Sequence, residues 1–200
     1  MSGRNAPSAR CSSSTAGFTL IELMITVAIV AVLAILAGVG YARWLRTSKT
    51  GEATAMLAAL KGGEETYRAE TYQYLDVSNC GTSCAALPTS STALYYPSSV
   101  PNDQRTPWNP LACIGTPICA NFVKLNISAD NTSAGVYYRY AAAAGPATGA
   151  AFTFDGRAYP AANDPWFVAK AWGDLNADGV YAQYWTSSMD STVWSTNPDE

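Results

Sequence analysis

A single apolar run near the N-terminus constrains the fold of this chain more than any other feature. The run extends from Phe18 to about Tyr41, and Glu22 is the only charged residue within it. As an α-helix its 24 residues rise about 36 Å, more than the roughly 30 Å hydrocarbon core of a bilayer. A carboxylate in such a helix costs about 3 kcal/mol to insert, so we expect Glu22 to have a function that offsets this cost.

A short polar leader precedes the apolar run and ends directly against it. The leader contains Arg4 and Arg10, has no acidic residue, and ends in Gly17, which is followed by Phe18-Thr-Leu-Ile-Glu22. This arrangement resembles the class III signal of type IV prepilins and type II secretion pseudopilins. The apolar run is longer than that of an ordinary secretory signal, about 7–15 residues, which predicts that it is retained in the mature protein.

The resemblance implies specific roles for the residues at this junction. In that family a membrane-bound peptidase cuts after the glycine and the new N-terminal phenylalanine is N-methylated, which places these events at Gly17 and Phe18. Glu22 corresponds to the family's glutamate at the fifth mature position, which sets the register between subunits. The implied partners are identical or related pilin subunits, the prepilin peptidase/methyltransferase, and an inner-membrane assembly platform with its ATPase.

The charges that flank the apolar run conflict over its orientation. Arg43, Arg46 and Lys49 follow the run, so the positive-inside rule favours a cytoplasmic C-terminal side. Arg4 and Arg10 in the leader favour the opposite orientation. The cysteines and the family resemblance favour the second: a single-pass protein of the bacterial inner membrane, with its C-terminal head outside the cytoplasm, that later enters an extracellular filament.

Four cysteines follow the leader, and they indicate disulfides. Cys80, Cys84, Cys113 and Cys119 lie in the distal part of the chain, whereas Cys11 belongs to the leader. Such cysteines in a membrane-anchored bacterial-type protein predict two disulfides in an oxidising compartment. The absence of histidine and the wide spacings argue against structural zinc. Three connectivities are open, and we favour the local pairs Cys80–Cys84 and Cys113–Cys119, each of which closes a turn containing glycine.

The remaining sequence predicts an α+β fold of the pilin type. Beyond the apolar run, Ala53, Met56, Leu57 and Leu60 fall at helical spacing among polar residues, which predicts that the helix continues as an amphipathic one. Later segments are rich in aromatic and β-branched residues, which favour strands. Strands are predicted over Phe122–Ile127, Val136–Ala142, Ala151–Phe154, Trp166–Trp172 and Val180–Thr186. An antiparallel sheet packed on the long N-terminal helix buries the apolar face of each.

These patterns divide the chain into four segments. Residues 1–17 form the leader that is removed, 18–44 the transmembrane and polymerisation helix, 45–74 the amphipathic helix, and 75–200 the globular head. The head opens with a loop-rich cysteine region at 76–120. Trp108 and Trp194 lie in loop-like sequence, so we predict that their rings are at the surface.

One turn in the head has the composition of a cation site. Asp174, Asn176 and Asp178 place side-chain oxygens at alternating positions before Gly179, as at the opening of a calcium loop. An EF-hand is excluded because its twelfth position, which requires glutamate, is Trp185. The alternative is a hairpin turn in which these residues accommodate a tight backbone. Since major pseudopilins bind calcium in a C-terminal loop, the resemblance adds Ca²⁺ as a candidate ligand; no other cofactor is predicted.

The predicted function is that of a structural subunit of a type IV pilus, which serves adhesion, twitching motility or DNA uptake. The alternative with the same N-terminal chemistry is a pseudopilin of a type II secretion system. A membrane-tethered enzyme is a weaker alternative, because the chain has no histidine, no glycine-rich phosphate loop and no G-x-S-x-G motif. A nucleic-acid-binding protein is disfavoured, since 10 basic residues face 15 acidic ones once Arg4 and Arg10 are removed.

Overall fold

The structure, a computed structural model, describes residues 17–80, 86–88, 91–127 and 135–198. It divides into two compact units, Met1–Ala42 and Arg43–Glu200. Helix α1 extends from Leu20 to Thr71 and therefore contributes to both units. The second unit adds a short helix, α2, over Pro117–Lys124. Its strands are β1 (Arg139–Gly145), β2 (Phe152–Phe154), β3 (Arg157–Tyr159), β4 (Trp166–Gly173), β5 (Ala182–Ser187) and β6 (Asp190–Thr196).

The second unit is organised around an antiparallel sheet in the order β1-β4-β5-β6, and β2 and β3 form a separate hairpin. Strand β4 is central and buried along its whole length. Its successive side chains enter two different hydrophobic clusters, Trp166 and Val168 in one and Phe167 and Ala169 in the other. Successive residues of a strand face opposite sides of a sheet, so both faces of this sheet are covered.

One face of the sheet is covered by the second half of α1. Ala53, Met56, Leu57 and Leu60 are buried in the same cluster as sheet residues such as Phe167. Their spacing places them on a single face of the helix, as the sequence predicts. The predicted α+β class, a long N-terminal helix followed by an antiparallel sheet in a pilin-like head, is therefore confirmed.

A half-buried carboxylate strengthens the contact between α1 and the sheet. Glu52 Oε1 accepts the backbone N–H groups of Tyr137 at 2.8 Å and Tyr138 at 3.3 Å, and the Tyr140 hydroxyl at 3.3 Å. Burial raises the pKa of Glu52, although the two N–H groups stabilise its ionised form. The helix is thus attached to the start of β1 by directional bonds as well as by apolar contact.

The opposite face of the sheet carries a buried ion pair between β4 and the β2–β3 hairpin. Lys170 Nζ lies 2.7 Å from Asp155 Oδ2, and both side chains are at least nine-tenths buried. Trp185 Nε1 donates to the same Asp155 oxygen at 2.6 Å, and Lys170 also donates to the Leu87 carbonyl at 3.0 Å. These additional bonds offset part of the desolvation of the two charges. They attach the hairpin and the loop at residue 87 to the sheet.

One predicted strand is wrong. Residues 122–124 form the last turn of α2, and Leu125 follows as the helix cap. Pro117 stands in the first turn of α2, where its missing N–H is harmless, and Ile118 and Phe122 are four residues apart and both buried. A short apolar run does not by itself distinguish a buried strand from a buried helix.

The predicted exposure of the two tryptophans is also wrong, completely for one and partly for the other. Trp108 is 3% exposed, its ring packs edge-on against Tyr96 and Phe122, and its Nε1 donates to the Ile127 carbonyl at 3.3 Å. Trp194 is half-buried and stacks on Trp185 with 4.2 Å between ring centroids. The loop-like sequence around each tryptophan therefore did not indicate that Trp108 is buried in the core and that Trp194 packs against it.

Candidate processing and assembly site

The apolar part of α1 is exposed to its surroundings. Every side chain described from Phe18 to Gly38 is exposed, and Phe18 itself is 82% exposed. The 19 residues Leu20–Gly38 are long and apolar enough to cross a membrane. Exposure of so many aliphatic side chains is unfavourable in water, so this segment requires a lipid or protein environment.

Glu22 closes a capping box at the start of α1. Its Oε2 accepts the backbone N–H of Thr19 at 2.9 Å and the Thr19 hydroxyl at 2.7 Å. In return the backbone N–H of Glu22 donates to Thr19 Oγ1 at 3.3 Å. This reciprocal pattern satisfies N–H groups that the first turn of a helix leaves without intrahelical partners. The negative charge also lies at the positive end of the helix dipole, where it is favourable.

Cleavage between Gly17 and Phe18 would create a new α-amino group next to this carboxylate. Thr19, the partner of Glu22, directly follows Phe18 in the chain. The predicted site residues Phe18 and Glu22 therefore lie at the same end of the exposed helix. A Cβ added at Gly17 would meet no atom within 4 Å, so the fold does not require glycine there. We expect the requirement to come from a processing enzyme.

The predicted cysteine pairs lie in the head, and one of them falls within the described residues. Cys113 and Cys119 form a disulfide with a Cα–Cα distance of 5.7 Å. It joins the short 3₁₀ turn Pro110–Cys113 to the first turn of α2. Cys80 is also disulfide-bonded, and Cys84 lies outside the described residues, as does the leader residue Cys11.

We expect the Cys113→Ser, Cys119→Ser double variant to unfold at a lower urea concentration than the wild type. The bond closes a short loop, with a sequence separation of 6, so the chain-entropy contribution is about 2 kcal/mol. Urea unfolding of the full chain in detergent, without reductant, measures this difference. The same comparison after reduction of the wild type serves as the control, and equal midpoints before reduction would contradict the role given to this bond.

The loop from Asp174 to Gly179 satisfies its own polar groups. Asp174 accepts the backbone N–H groups of Asp178 at 3.2 Å and Gly179 at 3.0 Å, one on each carboxylate oxygen. Asn176 donates to Asp178 Oδ2 at 3.0 Å. Among the described residues no three acidic, cysteine or histidine side chains form a metal-binding group. A carboxylate oxygen that accepts one hydrogen bond keeps further acceptor capacity, so the predicted calcium site at these residues stays a prediction.

Comparison with known proteins gives a match to the N-terminal segment. Residues 12–38 match the family model described as the prokaryotic N-terminal methylation motif. No curated protein and no solved structure matches the chain. The matched segment contains Gly17, Phe18, the capping box and the exposed apolar part of α1. The chain thus carries an N-terminal methylation motif. More particularly, it carries the leader signature of type IV pilins and pseudopilins.

Thr19 has a role at this site that the sequence interpretation did not assign to it. The pattern Thr19-x-x-Glu22 before an apolar run is a capping-box signature and was readable from the sequence. Its Oγ1 and backbone N–H both hold Glu22 Oε2, so Thr19 fixes the position of the carboxylate at the helix end.

Proposed function

We propose that this protein is the structural subunit of a type IV pilus filament, assembled from the inner membrane through the apolar half of α1. The observation that carries the proposal is the N-terminal methylation motif placed on a fully exposed apolar helix with one carboxylate at its start. Adhesion, twitching motility and DNA uptake are the outputs that such a filament serves. This role needs no catalytic group in the head.

The proposed assembly chemistry rests on the desolvation of Glu22. In a membrane or in the core of a filament, its buried carboxylate needs a positive partner. The methylated α-amino group of Phe18 on a neighbouring subunit supplies that charge. Such a pair compensates the desolvation and favours a single axial register, because any other register leaves both charges unpaired.

The proposed location follows from the same features. The prepilin peptidase/methyltransferase processes the chain at the inner membrane, and a platform protein and an ATPase add it to the base of the filament. The Cys113–Cys119 disulfide supports an oxidising compartment for the head and hence a head outside the cytoplasm. Filament growth then carries the subunit to the cell exterior.

A pseudopilin of a type II secretion system is the second candidate, because the matched motif is common to both classes. A head of about 125 residues with two candidate disulfides fits a pilin better than a compact calcium-bearing pseudopilin head. Filaments sheared from cells and examined by cryo-microscopy and mass spectrometry test the choice. We expect this chain as a repeating component of surface filaments; its absence from them, with loss of exoprotein secretion on deletion, would favour the pseudopilin.

Calcium binding at the Asp174–Gly179 loop is a separate proposal. We expect calcium to raise the melting temperature of the wild-type protein and to leave that of Asp178→Ala unchanged, because the variant loses two potential oxygen ligands. Magnesium serves as the control, since its smaller shell fits a flexible oxygen loop poorly. An equal rise in melting temperature with calcium in both proteins, or no rise in either, would indicate that the loop is a turn without a calcium site.

A further inference from the structure

A basic segment follows the apolar part of α1. Arg43, Arg46 and Lys49 occur within seven consecutive positions of the helix, and no acidic residue occurs between Glu22 and Glu52. They are three of the ten basic residues that remain when Arg4 and Arg10 are subtracted from twelve. The chain as a whole is acidic, with a net charge of −3, so this concentration of positive charge is local.

Most other cations of the head are used internally. Lys61 donates to the carbonyls of Ser187 and Asp190, Lys170 pairs with Asp155, and Arg157 pairs with Asp190 at 2.9 Å. Arg139 is 1% exposed and donates to loop carbonyls such as that of Ser99. These charges hold loops and hairpins in place and are not presented to a partner.

Lys49 is arranged differently, because it shares an aromatic ring with a second cation. Lys49 Nζ lies 4.4 Å and the Arg105 guanidinium 4.6 Å from the centre of the Tyr137 ring. The acidic groups that face them are few. Half-buried Glu52 accepts the N–H groups of Tyr137 and Tyr138 and is also stabilised by the charge of Arg105, and exposed Asp103 precedes Arg105 by two residues. Two cations on one ring form an electropositive site that an anion would stabilise.

Helix geometry places this charge at the depth of lipid headgroups. Arg43 stands about 3 Å and Lys49 about 12 Å of helix rise beyond Tyr41, where the apolar run ends. The headgroup layer on each side of a bilayer core is roughly 5–8 Å thick. In a helix the Cα–Cβ bonds tilt toward the N-terminus, which in α1 is the direction of the apolar run. Trp44, which is 63% exposed, is the residue type enriched at this level.

The positive-inside rule makes these charges unexpected on the side of the head. The Cys113–Cys119 disulfide indicates that the head lies in an oxidising compartment, where the rule disfavours basic residues close to the apolar helix. We propose that Arg43, Arg46, Lys49 and Arg105 form a basic collar that binds anionic phospholipid headgroups of the leaflet facing the head. The collar holds the subunit at a fixed depth until it leaves the membrane. This inference rests on the membrane anchoring that the proposed function requires.

Lipid selectivity of the full-length mature chain in vesicles tests the collar. Electron spin resonance compares spin-labelled phosphatidylglycerol with spin-labelled phosphatidylcholine at the protein surface. A basic residue near a membrane raises the association of an anionic surface by about fivefold. We expect wild type to prefer phosphatidylglycerol at least severalfold at low salt, with the preference reduced at high salt. The Arg43→Gln, Arg46→Gln, Lys49→Gln variant should show a ratio near one.

Matched variants separate local charge from net charge. Lys49→Gln and Lys124→Gln each remove one cation. Only Lys49→Gln should lower the preference for phosphatidylglycerol, because exposed Lys124 lies on α2 and is not part of the collar. Arg43→Lys with Arg46→Lys keeps the charge and should keep the preference. A triple variant with wild-type selectivity would overturn the collar. If that variant also made no filaments, the segment would instead contact a neighbouring subunit. Wild-type cells without filaments would reject the pilus function and leave the lipid result standing.

Discussion

Replacing Glu22 with leucine should abolish surface filaments while leaving membrane insertion intact or improved. The substitution removes the one side chain that is expensive to bury in the apolar run, so the helix should partition into lipid at least as well. It also removes the proposed partner of the Phe18 amino group on the neighbouring subunit. The variant should therefore accumulate in the inner membrane. Fractionation of cells with Glu22→Leu as their only copy, together with electron microscopy of sheared filaments, measures both effects.

Glu22→Gln separates the two roles that the structure gives this residue. Glutamine serves as well as glutamate in a capping box, so the contact with Thr19 would survive. The negative charge would be lost, so we expect few filaments. Glu22→Asp keeps the charge with a shorter reach and should assemble partially. Normal filaments from Glu22→Gln would show that helix capping is sufficient and that register is set elsewhere.

Replacing Glu64 with glutamine should stabilise the head at alkaline pH. Glu64 is fully buried on α1, and its Oε2 accepts the backbone N–H of Leu75 at 2.8 Å. Its Oε1 is buried and has no hydrogen-bond partner among the described residues. Burial raises the pKa of Glu64 from 4.5 to about 8. The negative charges of the nearby Asp76 and Glu65 contribute to this rise. The folded head therefore favours the protonated form of this carboxyl.

The stability of the head should consequently fall as the pH rises. The folded state binds the proton of Glu64 more tightly than the unfolded state, so the stabilisation is complete below about pH 4.5 and is lost as the pH rises to about 8. A tenfold difference in proton affinity between the two states is worth about 1.4 kcal/mol, which makes the total on the order of a few kcal/mol. Urea midpoints of the full chain in detergent, measured from pH 4 to pH 9, should fall in the wild type and change less in Glu64→Gln.

Glu70→Gln is the matched control, because Glu70 lies on the same helix and is exposed. We expect its pH profile to follow that of the wild type. If Glu64→Gln is less stable than the wild type at pH 9, Glu64 is ionised at low free-energy cost in the folded head, and the raised pKa is incorrect.

The parts of the structure that the sequence predicted are those with long or local patterns. The apolar run, its extension as an amphipathic helix and the order helix-then-sheet rest on periodicity over many residues. The Cys113–Cys119 pair is local as well, since its loop is short and contains Gly115. The methylation motif is contiguous and could be recognised directly.

The parts that the sequence did not predict depend on distant partners or weak patterns. Lys170 is stabilised by Asp155 and by the carbonyl of Leu87, which lies 83 residues away, and no local pattern reveals such a pair. Glu64 is buried by tertiary packing on its face of α1, and the residues next to it in the sequence do not indicate this burial. Strand β6 was missed because it is polar and largely exposed, so it lacks the alternation of a half-buried strand.

The mass of the N-terminal peptide of the protein purified from its own cells tests the central claim most directly. If the chain is processed as a pilin or pseudopilin, the mature protein begins at N-methylated Phe18 and lacks Cys11. The intact mass is then lower by residues 1–17 and higher by one methyl group. Gly17→Val should remain unprocessed, because a Cβ at this residue meets no atom of the described chain within 4 Å and the substitution is therefore expected to act on the peptidase. Wild-type protein that retains its leader in cells with an active prepilin peptidase would contradict the account.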